Sequence, residues 1–285
     1  MSANEFKLNA DEQPFDKPDA EKPKATRPRD AATAPGPAAA GCRLAPACRP
    51  RRERIAPVLP AMLCPLKILA TARALLQRGD QVIAAARRPG PLAELGIAVQ
   101  AFDALEPVAL HIPAVIDSLV YFPGTISLKP FHRLTVEDFL RDFQINCLGA
   151  VNAIQAALPS LRAAPSASIV LCSTIAVAQG MPFHASIAAA KGAVEGLTRS
   201  LAAEYAPKIR VNAIAPSLTD TPLAAPLLNS EAKREAAAKR HPLQRVGEPD
   251  EVAALIAFLL SDASRSLSGQ ILRPDGGLSS LRIFS

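Results

Sequence analysis

The chain has 285 residues, 49% of them apolar, a net charge of +6, and only 4% aromatic residues with no Trp. That apolar fraction suits one sizeable α/β core built from Ala, Leu, Ile and Val rather than from aromatic rings. The positive residues are interleaved with acids and no nucleic-acid-reading motif occurs, so a nucleic-acid partner is excluded from the reading. No apolar run reaches the roughly 18–20 residues of a membrane-spanning helix, so no membrane role is expected.

Residues 1–66 carry 11 of the 27 prolines. They pass from a Lys/Asp/Glu/Pro stretch to the Ala/Pro/Arg-rich "ATAPGPAAAGCRLAPACRPRRER". Frequent prolines interrupt both helix and strand periods, so residues 1–54 read as a disordered tail, either a solvated extension or a docking segment for an acidic partner. The opening "MSANEFKLNADEQ" is polar and lacks the apolar region of a secretory signal. The cysteines at 42, 48, 64, 147 and 172 are odd in number and show no metal-ligand spacing. They are expected to be reduced thiols in a cytoplasmic protein without a metal site.

Residues 55–285 form the second regime. "RIAPVLPAM" is a poor strand, because Pro57 and Pro60 belong at edges or bulges of a sheet. "LATARALLQRG" has helical period and stops at Gly79. "QVIAAARR" and "GIAVQAFDA" read as strands, the first ending in Arg87 and Arg88, the second near Asp103. "AVIDSLVYFPG" is a strand running into a turn at Gly124. "TVEDFLRDFQINCLGAVNAIQAALPSL" is one long helix with Thr135 as N-cap and Asp138 as its capping-box acid. "SASIVLCST" is an apolar strand, followed by the helix "ASIAAAKGAVEGLTRSLAAEY". "IRVNAIAPS" is a strand, "TDTPLAAPLLNSEAKREAAAKRH" a helical segment, "PDEVAALIAFLLS" a helix and "GQILRPDGG" a last strand. Strands alternating with helices imply βαβ units, hence a doubly wound parallel sheet of Rossmann-like type. Ligands then bind beyond the carboxyl ends of the strands, where residues 121–124, 173–174 and 216–221 should gather.

Several of these stretches together resemble the short-chain dehydrogenase/reductase family. "FQINCLGA", "AAAKGAVEGLTRSLAAEYA", "IRVNAIAPSLTDTPL" and "HPLQRVGEPDEVAALIAFLLSDASRSLSGQILRPDGG" match its motifs in order and register, over roughly 200 residues. The resemblance implies an Asn–Ser–Tyr–Lys catalytic set. Asn146 and Lys191 stand at the Asn and Lys positions, and Thr174 stands at the Ser position with Ser173 beside it. Lys191 would hold the cofactor ribose, Asn146 a water, and a hydroxyl of Thr174 or Ser173 the substrate carbonyl.

The Tyr position, four residues before Lys191, holds Ile187, which cannot donate a proton. His184 lies at i−3 from Ile187 and could share its helix face as a substitute acid, or simply frame the helix start. Tyr121 could project toward the cofactor or pack in the core, and Lys191 could act through water. Tyr205 lies too far along its helix. A second departure is the Gly-rich phosphate turn, expected at residues 61–68, where "AMLCPLKI" contains no Gly. Met62, Leu66 and Ile68 are expected to collide with the phosphates there. Either residues 55–69 are a degenerate first strand and turn, or the segment before about residue 70 derives from another reading frame.

By the same resemblance, Asp103 contacts adenine, Gly124 lies beneath the nicotinamide, and Pro216 and Thr221 meet the carboxamide and phosphate, with Ser217 replacing a usual Gly. Arg87 and Arg88 at the end of the second strand favour a 2′-phosphate, hence NADP(H) over NAD. The expected function is carbonyl reduction by hydride transfer from NADPH, on a 3-oxoacyl-like or other oxo compound. The alternative is a non-catalytic scaffold or ligand-binding protein of the same fold. The segment "TDTPLAAPLLNSEAKREAAAKRH" resembles the family's substrate lid, and its Leu223, Leu227 and Leu228 suit a mouth that closes on an organic ligand or a core. A homodimer or homotetramer is implied, with Gly149, Ala150, Ala153, Ala189 and Gly192 allowing close helix approach.

Overall fold

The computed structural model describes residues 55–59, 65–106 and 109–282. The expected tail over residues 1–54, the thiols of Cys42, Cys48 and Cys64, and Met62 lie outside the described residues.

Seven parallel strands form one sheet in the order β3-β2-β1-β4-β5-β6-β7. They are β1 Ile55–Leu59, β2 Gln81–Ala86, β3 Val99–Ala101, β4 Ser118–Tyr121, β5 Ala167–Cys172, β6 Ile209–Ile214 and β7 Ile271–Leu272. Alternation along β4 explains the layering. Leu119 and Tyr121 face one side and join a cluster with Ile154, Leu161, Val194 and Val211. Val120 and Phe122 face the other side and join Ile68, Leu75, Val252 and Ile256. Both faces of the sheet are therefore buried, as parallel sheets require. Helices α3 (Gly149–Ala163) and α4 (Ala185–Tyr205) cover the first face, α1 (Pro65–Arg78) and α6 (Pro249–Leu260) the second.

Helix α2 (Val136–Phe143) starts as the sequence predicts, with a capping box between Thr135 and Asp138. The single long helix expected from there is interrupted. A π-helical turn, Gln144–Leu148, joins α2 to α3 and carries Asn146. The segment after Thr221 is also less helical than its composition suggests: a short 3-10 turn, Ala225–Leu227, precedes α5 (Glu231–Lys239). Among the described residues no helix is long and apolar enough to cross a membrane.

Three expectations need correction. Strand β1 is central, not peripheral, despite Pro57: it pairs with β2 through Ile55–Val58, while pairing with β4 begins only at Val58, one residue past the proline that lacks an N–H. Helix α1 begins at Pro65, so residues 65–68 are a first helical turn and not part of a loop. Ile68 is accordingly 1% exposed and packs in the core; Leu66 is the exposed apolar side chain at this helix end. Finally, Gly149, Ala150 and Ala153 point into the chain's own core rather than outward toward a second subunit, whereas Ala189 is exposed.

Candidate active site

The strand order reverses between β1 and β4, which opens a crevice at the carboxyl ends of the sheet. Lys191 reaches it from the second turn of α4. The chain enters that helix through Phe183, whose φ of 69° is left-handed and turns the backbone sharply before His184, the N-cap. The Lys191 side chain is buried, and its ammonium donates to the carbonyls of Cys172 (2.7 Å) at the end of β5 and Pro123 (3.1 Å) after β4. It thus ties two strand ends together. Burial lowers its pKa, and the nearby Lys67 adds to this, while Asp142 opposes it.

Asn146 is fully buried on the π-helical turn. Its Nδ2 donates to the Asp142 carbonyl (2.7 Å) and to Thr125 Oγ1 (3.1 Å). Both partners accept, which fixes the amide orientation and leaves Oδ1 on the Gly124 side. That oxygen has no donor among the described residues. Thr125 in turn donates to Asp142 Oδ1 at 2.5 Å, and Asp142 Oδ2 is likewise buried without a partner. Gly124 lies where these groups converge: a β-carbon there would stand 3.4 Å from Asn146 Oδ1 and 3.5 Å from Lys191 Nζ. An acceptor and an ammonium therefore flank one small polar spot. A ligand hydroxyl can meet both groups there, accepting from the lysine and donating to the amide oxygen.

The other residues expected at the site divide. Thr174 caps the short turn Ile175–Val177, accepting from Ala176 N, and is half-buried at the end of β5. Ser173 is turned away: it is 3% exposed and its hydroxyl donates to Glu195 Oε1 at 2.8 Å. Of the two hydroxyls, that of Ser173 is engaged by Glu195, and that of Thr174 stands half-buried at the strand end. Ile187 is 5% exposed and packed, as an apolar residue at a buried helical position should be. His184 Nδ1 lies 2.7 Å from the Pro182 carbonyl, so that nitrogen carries the proton and Nε2 remains. Tyr121 is excluded as a donor to substrate: its hydroxyl is buried and donates to the Ile145 carbonyl at 2.7 Å. Desolvation, then Cys147 and Asp103, hold its pKa well above the ordinary phenol value.

At the other end of the crevice, Arg87 and Arg88 are exposed past β2, with Arg87 4.0 Å from Asp103 past β3. Asp103 Oδ1 also accepts from Leu105 N at 2.9 Å. Pro216 is buried beyond β6, and Thr221 is buried with its hydroxyl donating to the Thr219 carbonyl at 3.3 Å. Of the expected lid residues, Leu228 is core, joined to Ala224 and Ala237, and Leu227 is exposed. Asp142 and Thr125 were not anticipated. The available signal was positional: an acid at i−4 from Asn146 lies on the same helix face. Among the described residues no His/Cys/Asp/Glu cluster could hold a metal, and Cys147 and Cys172 are free thiols.

A parallel sheet that gathers a buried lysine, an orphaned amide oxygen and a strand-end hydroxyl defines an α/β oxidoreductase scaffold. The comparisons agree with this. A family model described as enoyl-(acyl carrier protein) reductase matches residues 98–279. The chain belongs to the short-chain dehydrogenase/reductase family. It is 40% identical over 175 residues to a tropinone reductase homolog of Arabidopsis thaliana, covering 61% of this chain and 67% of the relative. It is 38% identical over 164 residues to the 3-oxoacyl-[acyl-carrier-protein] reductase of Thermotoga maritima, covering 57% and 66%. The match thus spans about two thirds of these relatives' length. Among solved structures, the ligand-free aldohexose dehydrogenase of Thermoplasma acidophilum is similar at TM-score 0.72 and 28% identity, covering 81% of this chain and 97% of that one. A gluconate 5-dehydrogenase of Burkholderia cenocepacia, solved with NADP and tartrate, is similar at TM-score 0.71 and 27% identity, covering 80% and 96%.

Proposed function

We propose that the protein is an NADP-dependent oxidoreductase that reduces a small organic carbonyl compound, of 3-oxoacyl or related type. The observation that carries this reading is the convergence of Lys191 Nζ and Asn146 Oδ1 over Gly124. A bound reduced nicotinamide cofactor supplies the hydride. Lys191 would hold its ribose, Gly124 gives it room, and Pro216 and Thr221 border the carboxamide and phosphate. Asp103 meets the adenine, while Arg87 and Arg88, both exposed past β2, favour a 2′-phosphate.

Thr174 donates a hydrogen bond to the substrate carbonyl and orients it. Asn146 Oδ1 takes a hydrogen bond from water, and the Lys191 ammonium beside it stabilises negative charge developing on that water as it gives up a proton. His184, with Nε2 remaining, is the other group able to carry a proton at this helix start. The exposed apolar residues Val136, Leu140 and Phe143 along α2 support self-association as a homodimer or homotetramer. The free thiols of Cys147 and Cys172 support a cytoplasmic setting.

The test is titration calorimetry of the full chain with NADPH and with NADH. Saturable NADPH binding at micromolar levels, weakened about tenfold or more in Arg87→Ala/Arg88→Ala, is expected. An absence of binding overturns the reading. A second reading, a non-catalytic scaffold, is favoured by Ile187 at the position of the proton donor. NADPH binding without turnover on any of a panel of oxo compounds would select it.

A further inference from the structure

Beyond β6, on a different wall from Lys191, Ser217 and His241 meet. His241 follows α5 and is 3% exposed. Its Nδ1 lies 2.8 Å from the Ala237 carbonyl, and its Nε2 lies 3.0 Å from Ser217 Oγ. A carbonyl only accepts, so in the neutral ring Nδ1 bears the hydrogen and Nε2 bears the lone pair. The 3.0 Å contact is then Ser217 donating to His241. This is a hydroxyl nucleophile on a base whose tautomer is set by a third group. The serine stands where the family resemblance implies a glycine.

Both residues line a cavity of about 380 Å³, which Asn146, Thr174 and Lys191 do not line. Three carboxylates line the wall, Glu248, Glu251 and Asp275; Glu251 accepts from Arg245, and Asp275 from the backbone N–H of Gly277 and from the N–H and hydroxyl of Ser279. Arg273 lines the same cavity, where its charge acts on the neighbouring Asp275 carboxyl and helps to lower its pKa. The wall therefore offers a nucleophile, its base and a donor able to meet a developing oxyanion.

We infer that Ser217 and His241 form a second reactive site, an acyl-accepting serine that takes small uncharged carboxylic esters. Ser217 Oγ attacks the ester carbonyl carbon and forms a C–O bond while its proton passes to His241 Nε2. The bond from that carbon to the alcohol oxygen breaks, and the alcohol leaves with the proton from Nε2. Water, deprotonated by the same nitrogen, then releases the carboxylic acid and restores the serine. Arg273 holds the carbonyl oxygen while it is negative.

The test uses the full chain and two probes: a fluorophosphonate, with the modified residue read by peptide mass spectrometry, and p-nitrophenyl acetate, with nitrophenol release followed in time. Phosphonylation at Ser217 and a burst of about one equivalent of nitrophenol are expected. Both should vanish in Ser217→Gly, which removes only the side chain, and the labelling rate should fall at least tenfold in His241→Gln. No label on Ser217, or an undiminished rate in a folded His241→Gln, overturns the inference and leaves a structural hydrogen bond. Should His241→Gln not fold, the parent and Ser217→Gly decide alone. Neither probe depends on NADPH, so the outcome is separate from that of the cofactor titration.

Discussion

The hydroxyl of Tyr121 fills the space that a β-carbon on residue 149 would need. Gly149 opens α3 directly against it, with the ring carbon bearing the hydroxyl only 3.3 Å from the position of that β-carbon. The pair fixes how closely the π-helical turn approaches β4, because the same hydroxyl bonds to the carbonyl of Ile145, next to Asn146. Phe102 adds an edge-on ring contact at 6.4 Å. Gly149→Ala should therefore destabilise the fold by about 1–3 kcal/mol through overpacking. Tyr121→Phe alone should cost about 1 kcal/mol, the lost hydrogen bond. In the double variant the clash with the hydroxyl is gone, although Ala104 Cβ still stands 3.0 Å from the added β-carbon, so the two losses should fall short of adding. Urea unfolding of all four chains measures this; strict additivity would mean the two residues do not share the space.

The orientation of Asn146 rests on Thr125 and Asp142. Thr125→Val removes an acceptor from Asn146 Nδ2 and the only described donor to the Asp142 carboxylate, which is 1% exposed. Leaving a buried charged acceptor without a donor should cost about 1–3 kcal/mol, and NADPH affinity should fall because the amide is free to turn. Thr125→Ser keeps the hydroxyl and should restore both. Calorimetry and urea unfolding read the two effects; equal affinity in the valine variant would detach Thr125 from the site.

Much of this site is legible in the sequence because each residue sits in a helix or at a strand end that periodicity locates. Lys191 falls on an amphipathic helix, Thr174 ends an apolar strand, and Thr135 and Asp138 announce a helix start that the structure reproduces. What was not legible depends on partners distant in the chain or on local departures from helix geometry. The π-helical turn at Asn146 has no periodic signature over five residues. Ser173 and Thr174 are equal as hydroxyls until Glu195 claims the first. Ser217 and His241 lie 24 residues apart, and only the packing of α5 on the segment after β6 joins them. The central placement of β1 also defied the proline rule, because the rule concerns a donor on a paired side, and pairing with β4 starts beyond Pro57.

Thr174 and Ser173 give opposite expectations on substitution. Thr174→Val should lower kcat/KM for carbonyl reduction by about 10–100-fold, the scale of a lost oriented hydrogen bond in the transition state, with unfolding stability little changed. Ser173→Ala should leave kcat/KM within about twofold and cost about 1 kcal/mol of stability, since its hydroxyl serves Glu195. Steady-state kinetics with unfolding curves separate the two. A kinetic loss confined to Ser173→Ala would reverse the assignment.

Burial lowers the Lys191 pKa below its ordinary value of 10.5. In the window between that depressed value and 10.5 the unfolded chain binds more protons at this residue than the folded chain does. Its contribution to stability therefore rises with pH across the window, and the cost of burying the charge is fully present below it. Lys191→Met removes this dependence. The difference in urea midpoint between parent and Lys191→Met should shift toward the parent as pH is raised through the alkaline range. A difference independent of pH would mean that Lys191 stays charged in the folded state up to 10.5. The same variant should lose NADPH binding at every pH.

Ile187 is the residue whose replacement tests the catalytic reading most directly. It lies one helical turn before Lys191, so a phenol there would share the face on which the ammonium sits. The lysine charge would depress the phenol pKa, and the hydroxyl would stand ready to donate to the oxygen that Thr174 is proposed to orient. A positioned general acid contributes about 10²–10⁴-fold in rate. Ile187→Tyr should therefore raise turnover on an oxo substrate by up to that factor while leaving NADPH affinity unchanged within about threefold. The larger side chain enters a nearly closed position, 5% exposed, so some stability should be lost, about 1–3 kcal/mol if the neighbours cannot yield. A folded Ile187→Tyr chain that binds NADPH yet turns over no faster would show that proton supply does not limit this enzyme. The water proposed for Asn146 and Lys191 would then already carry the proton at the required rate.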